Sequence, residues 1–292
     1  MFKGSIVALV TPMAADGAID EAAFKGLLDW HMESGTAGVV IAGTTGESAT
    51  LGEAEFVRLL ELAVAHTAGS MTVLAGTGSP STSETIKRTA LAASLGADAA
   101  LVVTPSYNRP SQRGLLAHYR AVADAAELPV VLYNVPARTA VDLKPETSLT
   151  LAAHPNIVAI KEAVADEQRV AALVEGGLAV ISGDDPSCCE RMLAGAQGVI
   201  SVAANVIPAE YARLCELALS GQAEQARALD ARWVELYAFL GVEANPVPVK
   251  WLLWKLDRIG PGIRLPLVTL DQRWHKRGEV LAHALEGPVA LN

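Results

Sequence analysis

The sequence predicts an α/β fold, a (β/α)8 TIM barrel followed by an all-helical C-terminal extension. Eight short apolar segments rich in β-branched residues alternate with segments whose apolar residues recur at helical spacing. Such an alternation requires a parallel sheet, and eight units is the number that closes into a barrel. The chain has 292 residues, which exceeds the roughly 250 that a barrel of this kind commonly takes and leaves room for the extension.

The strands are placed by their apolar runs. The first run meets a Thr-Pro pair rather than a small-residue cleavage site, so residues 1–12 are expected to hold a strand and not a signal peptide. The predicted strands are 6–10, 38–42, 72–76, 99–103, 130–133, 157–161, 179–182 and 199–202.

The intervening segments have apolar residues three and four positions apart, as amphipathic helices do. The first helix is expected to begin after an N-cap at Asp20, and glycine is expected to end several helices, as at Gly35, Gly69 and Gly96. A doubly wound open sheet is the alternative fold. It usually has fewer strands and a glycine fingerprint after the first one, and this sequence has no such fingerprint.

Only helical patterns follow the eighth strand. Segment 208–220 is expected to be the last barrel helix. The extension is expected to contain three helices, at 223–240, 246–258 and 271–285. We therefore predict two domains, a catalytic barrel at 1–222 and a helical domain at 223–292. Because no low-complexity linker separates them, they should pack tightly.

Composition and charge narrow the class of function. A formal net charge of −9 argues against nucleic acid or an anionic membrane surface as a partner. No apolar stretch is long enough to cross a bilayer. The three cysteines, Cys188, Cys189 and Cys215, have neither metal-ligand spacing nor a disulfide framework, so we predict reduced core thiols in a cytoplasmic protein.

The sixth predicted strand ends in a lysine, Lys161. Because side chains alternate along a strand, one that points Ile157 and Ala159 into a packed core points Lys161 the same way. A lysine at a strand end is in most proteins a solvated charge. An unpaired ammonium inside a core is costly, however, so a buried Lys161 should favour its neutral form, which is a nucleophile.

Small and polar residues follow the other strands, at the end of the barrel where active sites lie. The Gly-Thr-Thr-Gly turn with Thr44 and Thr45 offers amides and hydroxyls to a carboxylate or phosphate, although a turn that only joins strand to helix fits equally well. Tyr133 ends the fifth strand, and Arg138 follows it. Phosphate-loop and metal-binding motifs are absent, so we predict no metal and no cofactor. A lysine beside hydroxyls and an arginine then indicates carbonyl chemistry through a Schiff base.

Three motifs carry a family resemblance. They are Gly-Val-Val at 38–40 leading to Gly-Thr-Thr-Gly-Glu at 43–47, Tyr-Asn-Val-Pro at 133–136, and a lysine 28 positions after that tyrosine. Together they resemble the dihydrodipicolinate synthase and N-acetylneuraminate lyase superfamily of pyruvate-dependent class I aldolases. The similarity continues through Asn-Pro-Val-Pro-Val-Lys at 245–250 and Arg-Leu-Pro at 264–266, so it covers essentially the whole chain.

Within that superfamily, three features resemble the synthase branch, which condenses pyruvate with L-aspartate 4-semialdehyde in lysine and diaminopimelate synthesis. They are Arg138, the Tyr-Asn-Arg-Pro segment at 107–110 and the segment 245–250. The resemblance implies an enzyme that forms a Schiff base with pyruvate and releases a cyclic product.

The resemblance also implies roles for single residues. Lys161 would form the imine, Tyr133 would move protons, and Thr44 would bridge Tyr133 to Tyr107 of a neighbouring subunit. Contacts to the two substrates would come from Thr45, Arg138, Gly183 and Ile200. A Tyr107 that acts in a neighbour requires at least a dimer, and the family is usually a dimer of dimers, so a homotetramer is expected.

Inhibition by lysine is expected to be weak or absent. Lysine-inhibited relatives bind the amino acid at the tight dimer interface, and Ser48, Ala49 and Glu84 match their pattern. Other positions of that pattern differ, with apolar or acidic residues in place of groups that would satisfy the ligand. The departures are Glu53, Phe56, Pro80 and Ser106.

Two other functions stay open on the sequence. One is a related aldolase that acts on a sugar-derived keto acid, against which Arg138 argues, because sialic acid lyases are expected to carry a different residue there. The other is a non-catalytic barrel that senses pyruvate. A sensor would not require the full set Lys161, Tyr133, Thr44 and Tyr107.

Overall fold

A computed structural model describes residues 2–286. Residue 1 and residues 287–292, the outer ends of the two predicted domains, lie outside the described part. The predicted boundary after residue 222 stays a prediction.

Eight parallel strands close into one barrel in chain order, and the eighth pairs with the first. The strands are β1 (Gly4–Ala8), β2 (Gly38–Ile41), β3 (Thr72–Gly76), β4 (Ala99–Val103), β5 (Val130–Asn134), β6 (Ile157–Glu162), β7 (Ala179–Ser182) and β8 (Gly198–Ser201). The predicted fold is therefore confirmed. The main displacement is in β1, which lies two residues before the predicted 6–10. Leu9 and Val10 are buried as the apolar run suggests, but the Val10 amide donates to Asn205 Oδ1 instead of a strand.

Nine α-helices follow the strands of the barrel in the described chain, with one 3-10 helix, Ala203–Asn205, after β8. They are α1 (Glu21–Glu33), α2 (Glu53–Thr67), α3 (Thr82–Ser94), α4 (Gln112–Ala125), α5 (Pro136–Thr139), α6 (Pro145–Ala152), α7 (Glu167–Glu175), α8 (Cys188–Leu193) and α9 (Pro208–Leu219). The predicted N-cap is confirmed, because Asp20 Oδ1 accepts from the Ala23 amide at 2.9 Å. Gly35, Gly69 and Gly96 each lie just beyond a helix end with positive φ, as predicted.

The C-terminal helices differ from the prediction in one break and in several ends. They are α10 (Ala223–Ala231), α11 (Val234–Leu240), α12 (Val247–Lys255) and α13 (His275–Glu286). The helix predicted at 246–258 ends at Lys255, and the one predicted at 271–285 begins as an α-helix at His275. The single helix predicted over 223–240 is wrong, because the chain leaves the helix at residues 232–233. Helix α10 packs against α8 and α9, so the extension continues the outer layer of the barrel.

The apolar residues form two layers. Inside the barrel lies a small cluster that includes Ile6, Val40 and Leu74, and between barrel and helices lies a larger one. The seam between β1 and β8 has room for glycine only, because a Cβ on Gly198 would lie 2.3 Å from the Gly4 carbonyl oxygen. Side chains thus fill the barrel below its carboxyl end.

The three cysteines are buried and free of disulfides, which confirms the prediction of core thiols. Burial is the main cause that raises the pKa of the Cys189 thiol to about 11. Within residues 2–286 no helix combines the length and apolarity needed to cross a bilayer.

Candidate active site

A cavity of about 230 Å³ opens at the carboxyl end of the barrel. Its walls come from the ends of seven strands, the turns that follow them and the segment before α12. The lining residues are Ala8, Val40, Gly43, Thr44, Thr45, Leu101, Tyr133, Val135, Arg138, Lys161, Ala163, Gly183, Val202 and Asn245. Six of the eight site residues predicted from the sequence therefore meet in one cavity.

Lys161 lies at the floor of this cavity and is only 6% exposed. It is the register partner of Tyr133 on β5, and its Nζ lies 4.4 Å from the centroid of the Tyr133 ring. Within residues 2–286 no carboxylate forms an ion pair with Lys161, and its amine has no hydrogen-bond partner. The aromatic face provides its only close electrostatic contact in the described chain. The amine is therefore sheltered and available to a ligand in the cavity.

The alternation argument for β6 is correct for Ala159 and wrong for Ile157. Ala159 belongs to the cluster inside the barrel, whereas Ile157 packs in the outer layer. The cause is a register shift between β5 and β6, where Val130 pairs with Ile157 but Val131 pairs with Ala159. Lys161 still points inward because the regular ladder begins after this bulge.

Gly183, which follows β7, packs directly against the stem of Lys161. A Cβ at Gly183 would lie 3.0 Å from both Cγ and Cε of Lys161 and 3.0 Å from Ala163 Cβ. The absent side chain leaves room for the lysine to extend along this wall. The Gly183 amide donates to the Glu162 carbonyl at 2.8 Å, which ties this wall to β6.

The Gly-Thr-Thr-Gly turn forms one side of the cavity. The turn closes with hydrogen bonds from the Gly46 and Ser48 amides to the Gly43 carbonyl. Thr45 is buried, and its Oγ1 accepts from Asn245 Nδ2 at 2.9 Å. Thr44 lines the cavity, but its side chain and the Tyr133 hydroxyl form no hydrogen bond within residues 2–286. The single chain brings the two residues together without linking them.

Arg138 lies at the mouth, on the short helix α5. Its side chain is exposed, and Nη2 donates to the Asn245 carbonyl at 3.2 Å. Arg138 also lines an adjoining cavity of about 350 Å³, which extends from the first cavity over Ser48, Ser106 and Leu267. The guanidinium thus presents free donors where the two cavities meet.

Two of the predicted residues lie outside the cavity lining. Tyr107 is 92% exposed on the loop after β4 and has a positive φ of 70°. Ile200 lies in the core inside the barrel, and Val202 lines the cavity above it. The amides of Val202 and Ala203 both donate to Asp185 Oδ2, at 3.0 and 2.9 Å, so a buried carboxylate holds this wall.

A buried ion pair beside the turn was not predicted. Glu47 Oε1 is in contact with Lys250 Nζ of α12, and Glu47 Oε2 accepts from the Arg264 amide at 3.1 Å. Burial lowers the pKa of Lys250, and the charge of Glu47 opposes this shift. The two residues are 203 positions apart, so spacing offers no signal. Asn245 was also missed as a lining residue, although the segment 245–250 contributed to the resemblance.

The fold and the site define a class, that of closed (β/α)8 barrels with a sheltered lysine at the end of the sixth strand. The chain belongs to the dihydrodipicolinate synthetase family, which it matches over residues 1–285. The resemblance stated from the sequence is thereby confirmed.

Two relatives show how similar the chain is to members of this family. The chain is 50% identical over 280 residues to the 4-hydroxy-tetrahydrodipicolinate synthase of Cellvibrio japonicus, which covers 95% of this chain and 97% of the relative. It is 52% identical over 283 residues to the enzyme of the same name from Xanthomonas campestris pv. campestris, with coverage of 96% and 93%.

The structure is also similar to solved structures of dihydrodipicolinate synthases. A chloride-inhibited dihydrodipicolinate synthase from Acinetobacter baumannii, complexed with pyruvate, is 44% identical and superposes with a TM-score of 0.95 over 98% of this chain and all of that one. Another similar structure, 36% identical with a TM-score of 0.92, covers 97% of this chain and 95% of its own length. It is described as the first monomeric dihydrodipicolinate synthase variant, which implies that oligomers are typical of these enzymes.

Proposed function

We propose that this chain condenses pyruvate with L-aspartate 4-semialdehyde to give 4-hydroxy-tetrahydrodipicolinate, in lysine and diaminopimelate synthesis, with Lys161 as the residue that forms the Schiff base. The observation that carries the proposal is the sheltered amine of Lys161, without a charge partner in the described chain, at the floor of a cavity lined by hydroxyls and an arginine. The family membership and the names of relatives about half identical support the choice of substrates.

The chemistry begins at the lysine. The Lys161 amine attacks the ketone carbon of pyruvate, and loss of water leaves a protonated imine. The imine draws electrons from the methyl group, which loses a proton to give an enamine. The enamine carbon attacks the aldehyde of the second substrate, and the amino group of that substrate then closes onto the imine carbon and displaces Lys161.

Neighbouring groups would hold the substrates and move the protons. Tyr133, whose ring faces the amine, is proposed as the proton shuttle, with Thr44 beside it and Tyr107 supplied by a neighbouring subunit. Thr45 would bind the pyruvate carboxylate through its hydroxyl and amide, and the backbone near Gly183 and Ile200 would line the pyruvate side. The exposed Tyr107 is compatible with a contact to another subunit.

Reductive trapping with borohydride tests whether Lys161 forms the Schiff base with pyruvate. Incubation with pyruvate and borohydride should leave a stable adduct that peptide mass spectrometry maps to Lys161. The same treatment without pyruvate is the control. An unmodified Lys161 in the presence of pyruvate would contradict the proposal.

Substitution of Arg138 tests how the second substrate is bound. Its guanidinium lies at the mouth with free donors and is proposed to bind the semialdehyde carboxylate. In R138A the KM for the semialdehyde should rise about 10- to 100-fold, because a charge-assisted contact is lost, while pyruvate trapping stays unchanged. R138K should recover only part of the loss, since an ammonium cannot form the planar fork. A wild-type enzyme that accepts sugar aldehydes in preference to the semialdehyde would favour the related aldolase activity instead.

We also propose that the protein is a cytoplasmic homotetramer. Sedimentation velocity should give the mass of four chains.

We further propose that inhibition by lysine is weak or absent. Phe56, one of the departures from the lysine-inhibited pattern, is fully buried beneath the Arg88 guanidinium, which lies 4.7 Å from its ring centroid, and so offers no polar group. In a titration with lysine at saturating substrates, strong inhibition at micromolar concentrations would contradict this expectation.

A further inference from the structure

The residues that directly follow Tyr133 and Lys161 form a second pair on the opposite face of the sheet. Asn134 and Glu162 occupy the next rung of the ladder between β5 and β6, and both side chains are completely buried between the barrel and the helices. Asn134 Nδ2 lies 3.1 and 3.2 Å from the two carboxylate oxygens of Glu162. The inward rung carries the proposed chemistry, whereas the outward rung carries a hydrogen-bonded bridge.

Every polar group of this bridge has a partner. Glu162 Oε1 accepts from the Val164 amide at 2.8 Å, and Oε2 lies 3.4 Å from Arg169 Nη1. Asn134 Oδ1 accepts from the Leu143 amide at 2.9 Å, and its Nδ2 also donates to Asp142 Oδ1 at 2.9 Å. The buried Nε of Arg169 has no hydrogen-bond partner in the described chain, but every polar side-chain atom of Asn134 and Glu162 does, so this pair is held in one arrangement.

The backbone of Glu162 holds the part of the cavity wall that packs against the Lys161 side chain. Its carbonyl accepts from the Gly183 amide and from Arg191 Nη1, each at 2.8 Å. Gly183 in turn packs against the stem of Lys161. Glu162 therefore connects β6, which carries Lys161, to β5, which carries Tyr133, and to the turn at Gly183 that confines the Lys161 side chain.

We propose that Asn134 and Glu162 are positioning residues for the Schiff-base reaction: their bridge fixes the ends of β5 and β6 and thereby sets the Lys161 amine against the Tyr133 ring. The inference rests on the proposed function of Lys161. Neither residue touches the cavity, so any effect on catalysis must pass through the geometry of the inward pair.

The substitution E162Q tests the bridge with almost no change of shape. In either orientation the new amide group meets a donor, because Oε1 faces the Val164 amide, Oε2 faces Arg169, and both face Asn134. With misplaced reactive atoms, kcat and the rate of pyruvate trapping should fall about 10- to 100-fold, while the KM for pyruvate changes by less than about threefold. Measurements are made at a temperature where circular dichroism shows E162Q to be folded.

Two further variants separate positioning from a loss of structure. D98N also replaces a carboxylate that accepts from a backbone amide, that of Val73 in β3, but at the amino end of the barrel, and should leave kcat unchanged. If E162Q does not fold, D142N, at the partly exposed end of the network, should give a smaller reduction of the same kind.

The outcomes separate the two proposals. Absence of a Lys161 adduct in the wild-type enzyme contradicts the proposed function. A wild-type adduct together with an E162Q trapping rate and kcat within about twofold of wild type contradicts the positioning role alone.

Discussion

Two lysines lie buried at the same end of the barrel, and only one has a charge partner. Lys250 is 4% exposed and paired with Glu47, whereas Lys161 is 6% exposed and faces the ring of Tyr133. Burial is nearly equal at the two sites, so burial alone does not distinguish Lys161, the proposed nucleophile, from Lys250. The difference is the carboxylate, because Lys250 is held in an ion pair with Glu47, whereas the Lys161 amine has no ion-pair partner in the described chain and faces the cavity.

The largest effect is expected from removal of the Lys161 amine. K161M retains the aliphatic stem, so we expect complete loss of turnover and of pyruvate trapping. The free energy of unfolding should stay the same or increase, because an unpaired polar group leaves a buried site. Steady-state kinetics and urea denaturation measure the two effects. Residual turnover at the wild-type rate would show that the chemistry does not depend on this amine.

The matching substitution at Lys250 should act mainly on stability. K250M leaves the Glu47 carboxylate buried and unpaired, at a cost of about 3–5 kcal/mol. E47Q/K250M removes both charges and should restore most of the lost stability. Urea denaturation of both variants checks this, and equal destabilisation in the single and double variants would contradict it. Activity should also fall in K250M, because Glu47 ends the turn that presents Thr44 and Thr45.

The two lysines also show what could be predicted from the sequence. Strand runs and the lysine at the end of β6 were visible because they are local, and the family resemblance supplied the roles proposed for Lys161 and Arg138. The Lys250–Glu47 pair joins segments that only folding brings together. The register shift that turns Ile157 outward depends on the pairing of β5 with β6, and the break at residues 232–233 lies in a segment whose apolar spacing continues across it. None of these three leaves a local pattern.

A smaller effect is expected where the lysine stem is confined. In G183A the new Cβ would lie 3.0 Å from Cγ and Cε of Lys161 and 3.0 Å from Ala163 Cβ, so the lysine stem has to move and the backbone of this wall has to shift slightly. We expect kcat to fall about tenfold, because a small misplacement of a reactive atom has a large effect on rate, and stability to fall by about 1 kcal/mol from the added crowding. G26A is the control, since a Cβ at Gly26 meets nothing within 4 Å in α1. It should leave kcat unchanged and raise stability by about 0.5–1 kcal/mol.

His31, in α1, is a third buried base, and it has no acidic partner in the described residues. Burial lowers its pKa to about 3, and its Nδ1 lies 2.9 Å from Thr36 Oγ1. The unfolded chain binds a proton at His31 near pH 6.5 and the folded chain does not, so this residue reduces stability as the pH falls from about 6.5 towards 3.

In H31Q the free energy of unfolding should fall less steeply with decreasing pH, by about 1.4 kcal/mol per pH unit near pH 5. T36V retains the buried imidazole and should lower stability by a similar amount at every pH. Urea denaturation between pH 4.5 and 7 distinguishes the two, and parallel curves for H31Q and wild type would mean that the buried imidazole accepts a proton despite its surroundings.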